Sequence, residues 1–480
     1  MHDGFPGLRG LIGLHDATNS RAVFLRDARS PRVLTQHALS RAVRAWSGEL
    51  AARGFAPGAR VLVDVDDPLA FAVTHLSLVA AGYASAPLDP AAPSAEAERA
   101  RRALRPDVGL TDRAGPGVPV DPATGLPAEP AGAPREPDGP AGAAVLLTSG
   151  STGPPKTVVL PEAQLMHVGR AVARHHRLSP GDRGFSPLPL FHVNAQVVGL
   201  LGSLVGGAEL VLDRRFRRTG FWELLVEHDV TWLNAAPALL SVLARSGLGP
   251  VPPRLRFVRS ASAPLPPAVR TAVQDALGVP VVESYGMTEA ASQITATPLD
   301  GGQDGGIGSV GTVVDGELEV VGHDGRPRPT GETGRVRIRG AGVIRAHEGG
   351  EPFPDGWLDT SDLGRLDAEG RLFLVGRADD VVNRGGELVH PREVEEVLLA
   401  EPGVVEAVVV GRPDEVLGQV PVALVRGTGD DLVAALRRRC TERLARYKRP
   451  AEILLVESLP VGPTGKVRRA EVRRLLAAAG

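Results

Sequence analysis

Residues 146–160 read LLTSGSTGPPKTVVL: an apolar run, a loop of glycines and hydroxyls with one lysine, then a second apolar run. The pattern predicts a buried strand, a phosphate-holding loop and another strand. Gly150 and Gly153 let backbone N–H groups approach phosphate oxygens closely. The hydroxyls of Thr148, Ser149, Ser151 and Thr152 add donors, and Lys156 adds charge. The spacing from Gly150 to Lys156 and Thr157 imitates a Walker A loop, yet Pro155 stands where that motif needs glycine, and proline has no N–H to donate. The residues after Lys156 also read as a strand, where a P-loop would open a helix. A polyphosphate ligand is expected; a P-loop phosphohydrolase is disfavoured.

Outward from this loop, short apolar runs alternate with helix-like segments at 144–147, 162–174, 209–212, 222–227, 257–258, 269–277 and 281–282. Such alternation predicts an α/β domain with helices on largely parallel strands, its site in loops at strand ends. Past Gly376 the rhythm restarts on a smaller scale, with a strand at 372–375 leading in, helices at 392–399 and 432–444, and strands at 404–410, 420–424 and 453–456. About a hundred residues suffice for a small α+β domain. The expected division is a large N-terminal domain over 1–376, a hinge at 377–380 and a C-terminal lid domain over 381–480. The stretch 112–140, rich in Pro, Gly and Ala, reads as a surface connection.

A chain of 480 residues has ample apolar content for these cores. Its formal net charge of −2 supplies no basic field for nucleic acid. The single cysteine, Cys440, cannot form an internal disulfide, which points to a reducing cytoplasm. The most apolar window, 71–88, is interrupted by His75, Gly82 and Pro87, and falls short of the roughly 18 apolar residues of a spanning helix; no membrane anchor is expected. Of 54 basic residues three are lysine, Lys156, Lys448 and Lys466. A lysine retained where arginine is otherwise used marks a place that wants a compact ammonium. Lys156 and Lys466 sit in glycine-rich loops; Lys448 reads as a solvated surface residue.

A second loop, ESYGMTEA at 283–290, follows an apolar strand and gathers a tyrosine, a glycine, a hydroxyl and a carboxylate. An aromatic suits stacking on a base, and a carboxylate suits Mg²⁺ beside phosphate.

TSGSTGPPK resembles the phosphate-loop signature of the adenylate-forming superfamily of acyl-CoA synthetases, nonribosomal adenylation domains and luciferases. PLPLFH ending at His192, SASAPL from Ser260, ESYGMTEA, WLDTSDLG from Trp357, GRADDVVNRGGELVHPREVE from Gly376 and PTGK ending at Lys466 follow in that family's order, from about Leu34 to the C-terminus. The resemblance implies that Tyr285 packs on adenine, Thr288 touches the α-phosphate and Glu289 binds magnesium. Ser262, Ala263, Glu283, Ser284 and Gly286 complete the nucleotide site with the phosphate loop. Asp362 would accept both ribose hydroxyls and Arg377 would give a second ribose or phosphate contact; a carboxylate suits a diol because it accepts two donors. Lys466 would offset the repulsion between the acid's carboxylate and the α-phosphate as charge builds on phosphorus. His192 resembles a gate beside the acyl carboxylate. Asp379 matches the hinge about which the small domain withdraws Lys466 and brings up the thiol-acceptor loop, Arg384, Gly385, Gly386 and Glu387, whose glycines leave room for a pantetheine arm.

FVRSASAPL, VVESYGMTEAASQ and VVNRGGELVHP are most similar to the oxalate-CoA ligase branch of stand-alone acyl-CoA ligases. The implied cofactors are ATP and Mg²⁺, with coenzyme A as co-substrate; a carrier protein, or an amine or nitrite, are the alternative acceptors. By position in the family, the acid pocket comprises His192, Asn194, Asn234, Ala235, Ser262, Gly286 and Met287. None is lysine or arginine, so a small aromatic or aliphatic monoacid is expected rather than a dicarboxylate. Two positions depart from the family pattern: Thr157 and Ser361 each stand where glycine is usual. A non-catalytic nucleotide-binding relative would be expected to lose Lys466 or Glu289, and both are present.

Overall fold

The two runs that flank the phosphate loop form an antiparallel pair, Ala143–Thr148 with Lys156–Pro161, in register from Ala143 opposite Pro161 to Thr148 opposite Lys156. The loop therefore joins two strands of one sheet and opens no helix. The computed structural model describes residues 6–148, 156–247, 249–300, 306–429, 431–462 and 467–479. Ser149, Gly150, Ser151, Thr152, Gly153 and Lys466 lie outside the described residues.

The pair closes one edge of a six-stranded sheet whose other neighbours, Ala84–Pro87, Arg60–Asp64, Val108–Thr111 and Val118–Pro119, run parallel. A nine-stranded sheet has six parallel central strands, in order Val281–Tyr285, Phe257–Ser260, Trp232–Ala235, Arg183–Ser186, Glu209–Leu212 and Val23–Asp27, with antiparallel strands at both edges. Helices cover these sheets as the alternating pattern requires. The apolar window expected at 71–88 is the helix Pro68–Ala80, buried at every residue, and the strand Ala84–Pro87. Asp67 starts that helix by accepting from the N–H groups of Leu69 and Ala70 at 3.0 and 2.9 Å, and Pro68 occupies its first turn. Among the described residues no helix is long and apolar enough to cross a membrane.

A four-stranded antiparallel sheet, Glu317–Val321, Gly334–Arg339, Leu358–Leu366 and Leu372–Arg377, leads into the C-terminal region. There the strands Glu387–Val389, Val382–Arg384, Gly418–Gly427 and Val404–Asp414 form a sheet, with Glu452–Leu455 parallel to Gly418–Gly427. The helices Pro391–Leu399 and Leu432–Arg443 bury Val394, Leu398 and Leu436 against Val409, Val425 and Ile453. The helix Arg469–Ala479 sets Val472 and Leu476 against Val408 and Val410.

The connection at 112–140 is less superficial than its composition implies. It contributes the strand Val118–Pro119, and its backbone lies against the helix Gln36–Ala52. Trp46 Nε1 donates to the Gly125 carbonyl at 2.9 Å, and buried Glu49 accepts from Ala131 N at 2.6 Å. A Cβ at Gly48 would stand 1.9 Å from the Ala133 carbonyl, so small residues here serve close backbone packing. Lys448 also differs from expectation: its Nζ is held by both oxygens of Glu393, at 2.6 and 2.8 Å, which makes it a structural ion pair.

Candidate active site

The strand Val281–Tyr285 runs three residues beyond its apolar start and carries Glu283, Ser284 and Tyr285 to its C-terminal end, all buried. Tyr285 Oη donates to Asp362 Oδ2 at 2.5 Å, and Arg377 Nη1 donates to Asp362 Oδ1 at 3.1 Å. Asp362 and Arg377 face each other across adjacent strands, so the sheet register itself sets this contact. Burial first, and the Asp362 charge second, hold the Tyr285 phenol well above its usual value, so it stays a donor. The three groups form one polar cluster at a strand edge, built around a carboxylate, a group that can accept several donors at once.

Beyond Tyr285 the chain doubles back sharply. A Cβ at Gly286 would lie 1.3 Å from the Ser292 carbonyl oxygen, so only glycine fits there. The turn Thr288–Ala290 puts Glu289 in a buried position with His347 Nε2 at 3.5 Å from Oε1. The neighbouring segment ties this turn to the phosphate-loop strands: Ile344 N donates to the Glu289 carbonyl at 2.8 Å and Glu348 N to the Thr157 carbonyl at 3.2 Å. Thr148 and Lys156, the described ends of the phosphate loop, pair at the mouth of the same strands. Glu289 offers one carboxylate to this turn, and no group of three or more His, Cys, Asp and Glu ligands occurs among the described residues. That donor set suits Mg²⁺, which keeps water and phosphate oxygens in its sphere and needs only one or two carboxylates.

Glu283 sits beside Arg270, 3.3 Å away, and its carboxyl is raised to about 7 by burial against the opposing pull of Arg270 and Arg392. Its backbone N–H receives the Thr297 hydroxyl oxygen as acceptor at 2.9 Å. Ser284 Oγ is buried without a partner among the described residues.

On the acid side, Asn194 Nδ2 donates to Ser262 Oγ at 3.2 Å and Asn234 Nδ2 to Asn194 Oδ1 at 3.3 Å. Ser262 is exposed, with φ +78, and Ala263 is half-buried beside it. Of the other residues expected to line the acid pocket, Asn234 and Ala235 are fully buried, Gly286 is exposed and Met287 is half-buried. His192 packs on Phe191 with ring centres 4.4 Å apart. Burial lowers its imidazole to about 4, and its Nε2 is enclosed with no partner among the described residues. It is a neutral ring with a hydrogen-bonding atom left for a ligand. Asn194 opens a π-helix, Asn194–Leu201, a wide turn common at functional sites.

Bonded to two of the residues expected to line the acid pocket is one that sequence reasoning missed. Arg259, on the strand Phe257–Ser260, is 1% exposed and bonds Asn194 Oδ1 at 3.0 Å, Asn234 Oδ1 at 3.1 Å and Gln293 Oε1 at 3.2 Å. None of the seven expected pocket residues is basic, but a guanidinium that the expectation left out is bonded to two of them. His347, 3.5 Å from Glu289, was also missed, because a lone histidine in a loop gives no periodic signal.

The strand carrying Arg377 passes through the turn Ala378–Asp380 into the C-terminal region. Asp379 Oδ2 is 3.9 Å from Arg377 Nη2. Asp380, by contrast, is gripped by the last helix, with Arg473 at 2.6 Å and Arg469 at 3.4 Å. The Arg384–Glu387 loop is tied to its own region: Arg384 Nη1 donates to the Tyr447 carbonyl at 2.9 Å, Gly385 N to the Leu417 carbonyl at 2.8 Å and Gly386 N to Asn383 Oδ1 at 2.9 Å. The segment that follows Lys466 abuts the N-terminal region, with Arg468 Nη2 3.5 Å from Glu96.

With this geometry in view, the comparisons are specific. The AMP-binding enzyme family model matches residues 15–346, and the model of its C-terminal domain matches 393–466. The sulfoacetate–CoA ligase of Cupriavidus necator is 42% identical over 362 residues, 73% of this chain and 70% of that one. The oxalate–CoA ligase of Arabidopsis thaliana is 35% identical over 340 residues, 68% of this chain and 66% of that one. Alignments with such curated relatives reach from 62% to 70% of their lengths. The o-succinylbenzoate CoA synthetase of Bacillus subtilis, solved with its acyl-adenylate intermediate, superposes with TM-score 0.86 at 26% identity over 96% of this chain and 97% of that one. The same synthetase has been solved with ATP and a magnesium ion.

Proposed function

The chain belongs to the AMP-binding enzyme family, and we propose that this adenylate-forming ligase activates a small carboxylic acid with ATP, releases pyrophosphate and passes the acyl group to coenzyme A. The carrying observation is the joining of Tyr285, Asp362 and Arg377 in one polar cluster, on the strand whose following turn presents Glu289 beside the phosphate-loop strands. Asp362 would take the ribose hydroxyls, Tyr285 would flank the base, and Thr288 would meet the α-phosphate. The magnesium ion, held by Glu289, would supply charge neutralisation of the phosphates. Ser149, Gly150, Ser151, Thr152, Gly153 and Lys156 would cradle the leaving pyrophosphate, and neutral His192 would order the acid by hydrogen bonding. The acid's carboxylate attacks the α-phosphorus, the α–β bridge breaks, and Lys466 would offset the charge that builds between two anions. The acyl carbon of the mixed anhydride then takes the thiol, and AMP leaves.

Two anchors support a domain division at 377–380. Arg377 is held by Asp362 of the N-terminal region and Asp380 by Arg469 and Arg473 of the C-terminal helix, so the short turn between these two anchors is where rotation would be absorbed. In the arrangement seen, the segment after Lys466 meets Glu96 while the Arg384–Glu387 loop stays on its own domain; this favours the acid-activating arrangement, with the loop delivered by rotation. Coenzyme A, named for both relatives, is preferred to a carrier protein as acceptor. The single thiol, Cys440, is buried and fits a reducing cytoplasm.

Lys466→Ala should slow adenylate formation by roughly 10²–10³-fold, while a chemically supplied acyl adenylate is still converted to thioester. Equal loss in both half-reactions would contradict a lysine that serves only the first.

A further inference from the structure

Arg259 is a buried cation without an acidic partner among the described residues. Its contacts are three neutral amide oxygens, those of Asn194, Asn234 and Gln293. Burial lowers the guanidinium to about 9, still charged at neutral pH. A buried charge met only by dipoles costs several kcal/mol unless a counter-charge arrives. The neighbouring titratable groups give no relief: His175 and His176, lowered first by burial and then by the Arg259 charge, add no negative charge.

The guanidinium also fixes the direction of every hydrogen bond around it. It has donors only, so Asn194, Asn234 and Gln293 must turn their oxygens inward and their NH₂ groups away. Asn194 Oδ1 then accepts from both Arg259 and Asn234, and Asn194 Nδ2 donates to Ser262 Oγ. Ser262 Oγ accepts from that side, which turns its own O–H outward as a donor. A one-way chain thus runs from a buried cation through an amide to an exposed hydroxyl, each bond polarising the next. At its outer end it calls for an acceptor, and its inner end adds a full positive charge.

Resting on the adenylation reading above, we infer that the acid activated here carries a second anionic group, a carboxylate or sulfonate, seated at Ser262 and Asn194 over Arg259. The reacting carboxylate is a poor occupant of that seat. Its charge is consumed when the adenylate forms, so a fixed cation beside it would hold the ground state more tightly than the transition state. A spectator anion keeps its charge throughout, and the interaction then aids binding without opposing the chemistry.

The test is initial-rate AMP release by the full chain with ATP and coenzyme A, over size-matched acids: malonate and sulfoacetate against butyrate and propionate. The wild-type chain should prefer the dianions in kcat/KM by roughly 10–100-fold, the worth of one or two charge-assisted hydrogen bonds. Arg259→Gln should bring that ratio toward one, mostly through KM for the dianions. Asn194→Asp, which hands Arg259 an internal carboxylate and guards against a misfolded Arg259 variant, should do the same. A wild-type preference for monoacids, or variants that lower both classes in proportion, would overturn the inference while leaving adenylation intact. Failure of the wild-type chain on every acid would instead strike the adenylation reading beneath it.

Discussion

At the scale of single residues, backbone angle and burial decide what each side chain can do. Ser361 stands where the family usually has glycine, and its φ of +59 places it in the left-handed region, with its N–H donating to Asp359 Oδ1 at 2.9 Å. The chain bears a cost there for a side chain next to Asp362. Ser361→Gly should stabilise the protein by about 0.5–1 kcal/mol, the part of the left-handed penalty that outlasts glycine's greater freedom when unfolded. Urea unfolding measures it, and an unchanged or lower midpoint contradicts it. The departure was legible from the sequence, but its sign was not, because only the fold supplies φ. Arg259 shows the opposite limit. In FVRS it reads as the polar end of a strand, since arginine is rarely fully buried. Its partners at 194, 234 and 293 come from other elements, so no local pattern announces them.

At the scale of elements, apolar runs located three of the six central strands, at 209–212, 257–258 and 281–282, and missed those at 23–27, 183–186 and 232–235; the structure extends the last two of the three toward the site. The strand begun at Phe257 runs to Ser260, and the one begun at Val281 runs to Tyr285. Parallel neighbours, and for Ser284 and Tyr285 the antiparallel strand Thr295–Ala296, supply the extra backbone partners, so polar residues join the ladder without any hydrophobic signal. The phosphate hairpin was fully legible because Pro155 and the β-branched run after Lys156 exclude a helix. One consequence is testable on the 281–285 strand. Glu283 is raised to about 7 from its usual 4.5, so between those values the folded chain holds a proton that the unfolded chain has released. Stability from this group is therefore lost as pH rises through that window. The melting temperature of the wild type should fall relative to Glu283→Gln from pH 4.5 to 7 and then run parallel to it. A constant difference across the window would mean that Glu283 ionises as it does in the unfolded chain.

At the scale of the molecule, the site is an assembly of sheet ends. The nine-stranded sheet brings Tyr285 and the Arg259 relay, the six-stranded sheet the phosphate hairpin, and the four-stranded sheet Asp362 and Arg377. The C-terminal region is joined through the short turn at 378–380. This distribution explains why motifs spread over more than three hundred residues were readable one at a time, whereas the substrate was not. The loops proposed to hold the nucleotide carry their own chemical signature; the layer proposed to read the acid lies beneath the surface, built from residues that look like core. The most direct measurement of the central claim is exchange of labelled pyrophosphate into ATP, with coenzyme A omitted, across a panel of mono- and dianionic carboxylic acids. The account predicts acid-dependent exchange, fastest with a dianionic acid and needing no thiol. Exchange that appears only when coenzyme A is present, or none with any acid, would contradict an enzyme that forms its acyl adenylate before the thiol arrives.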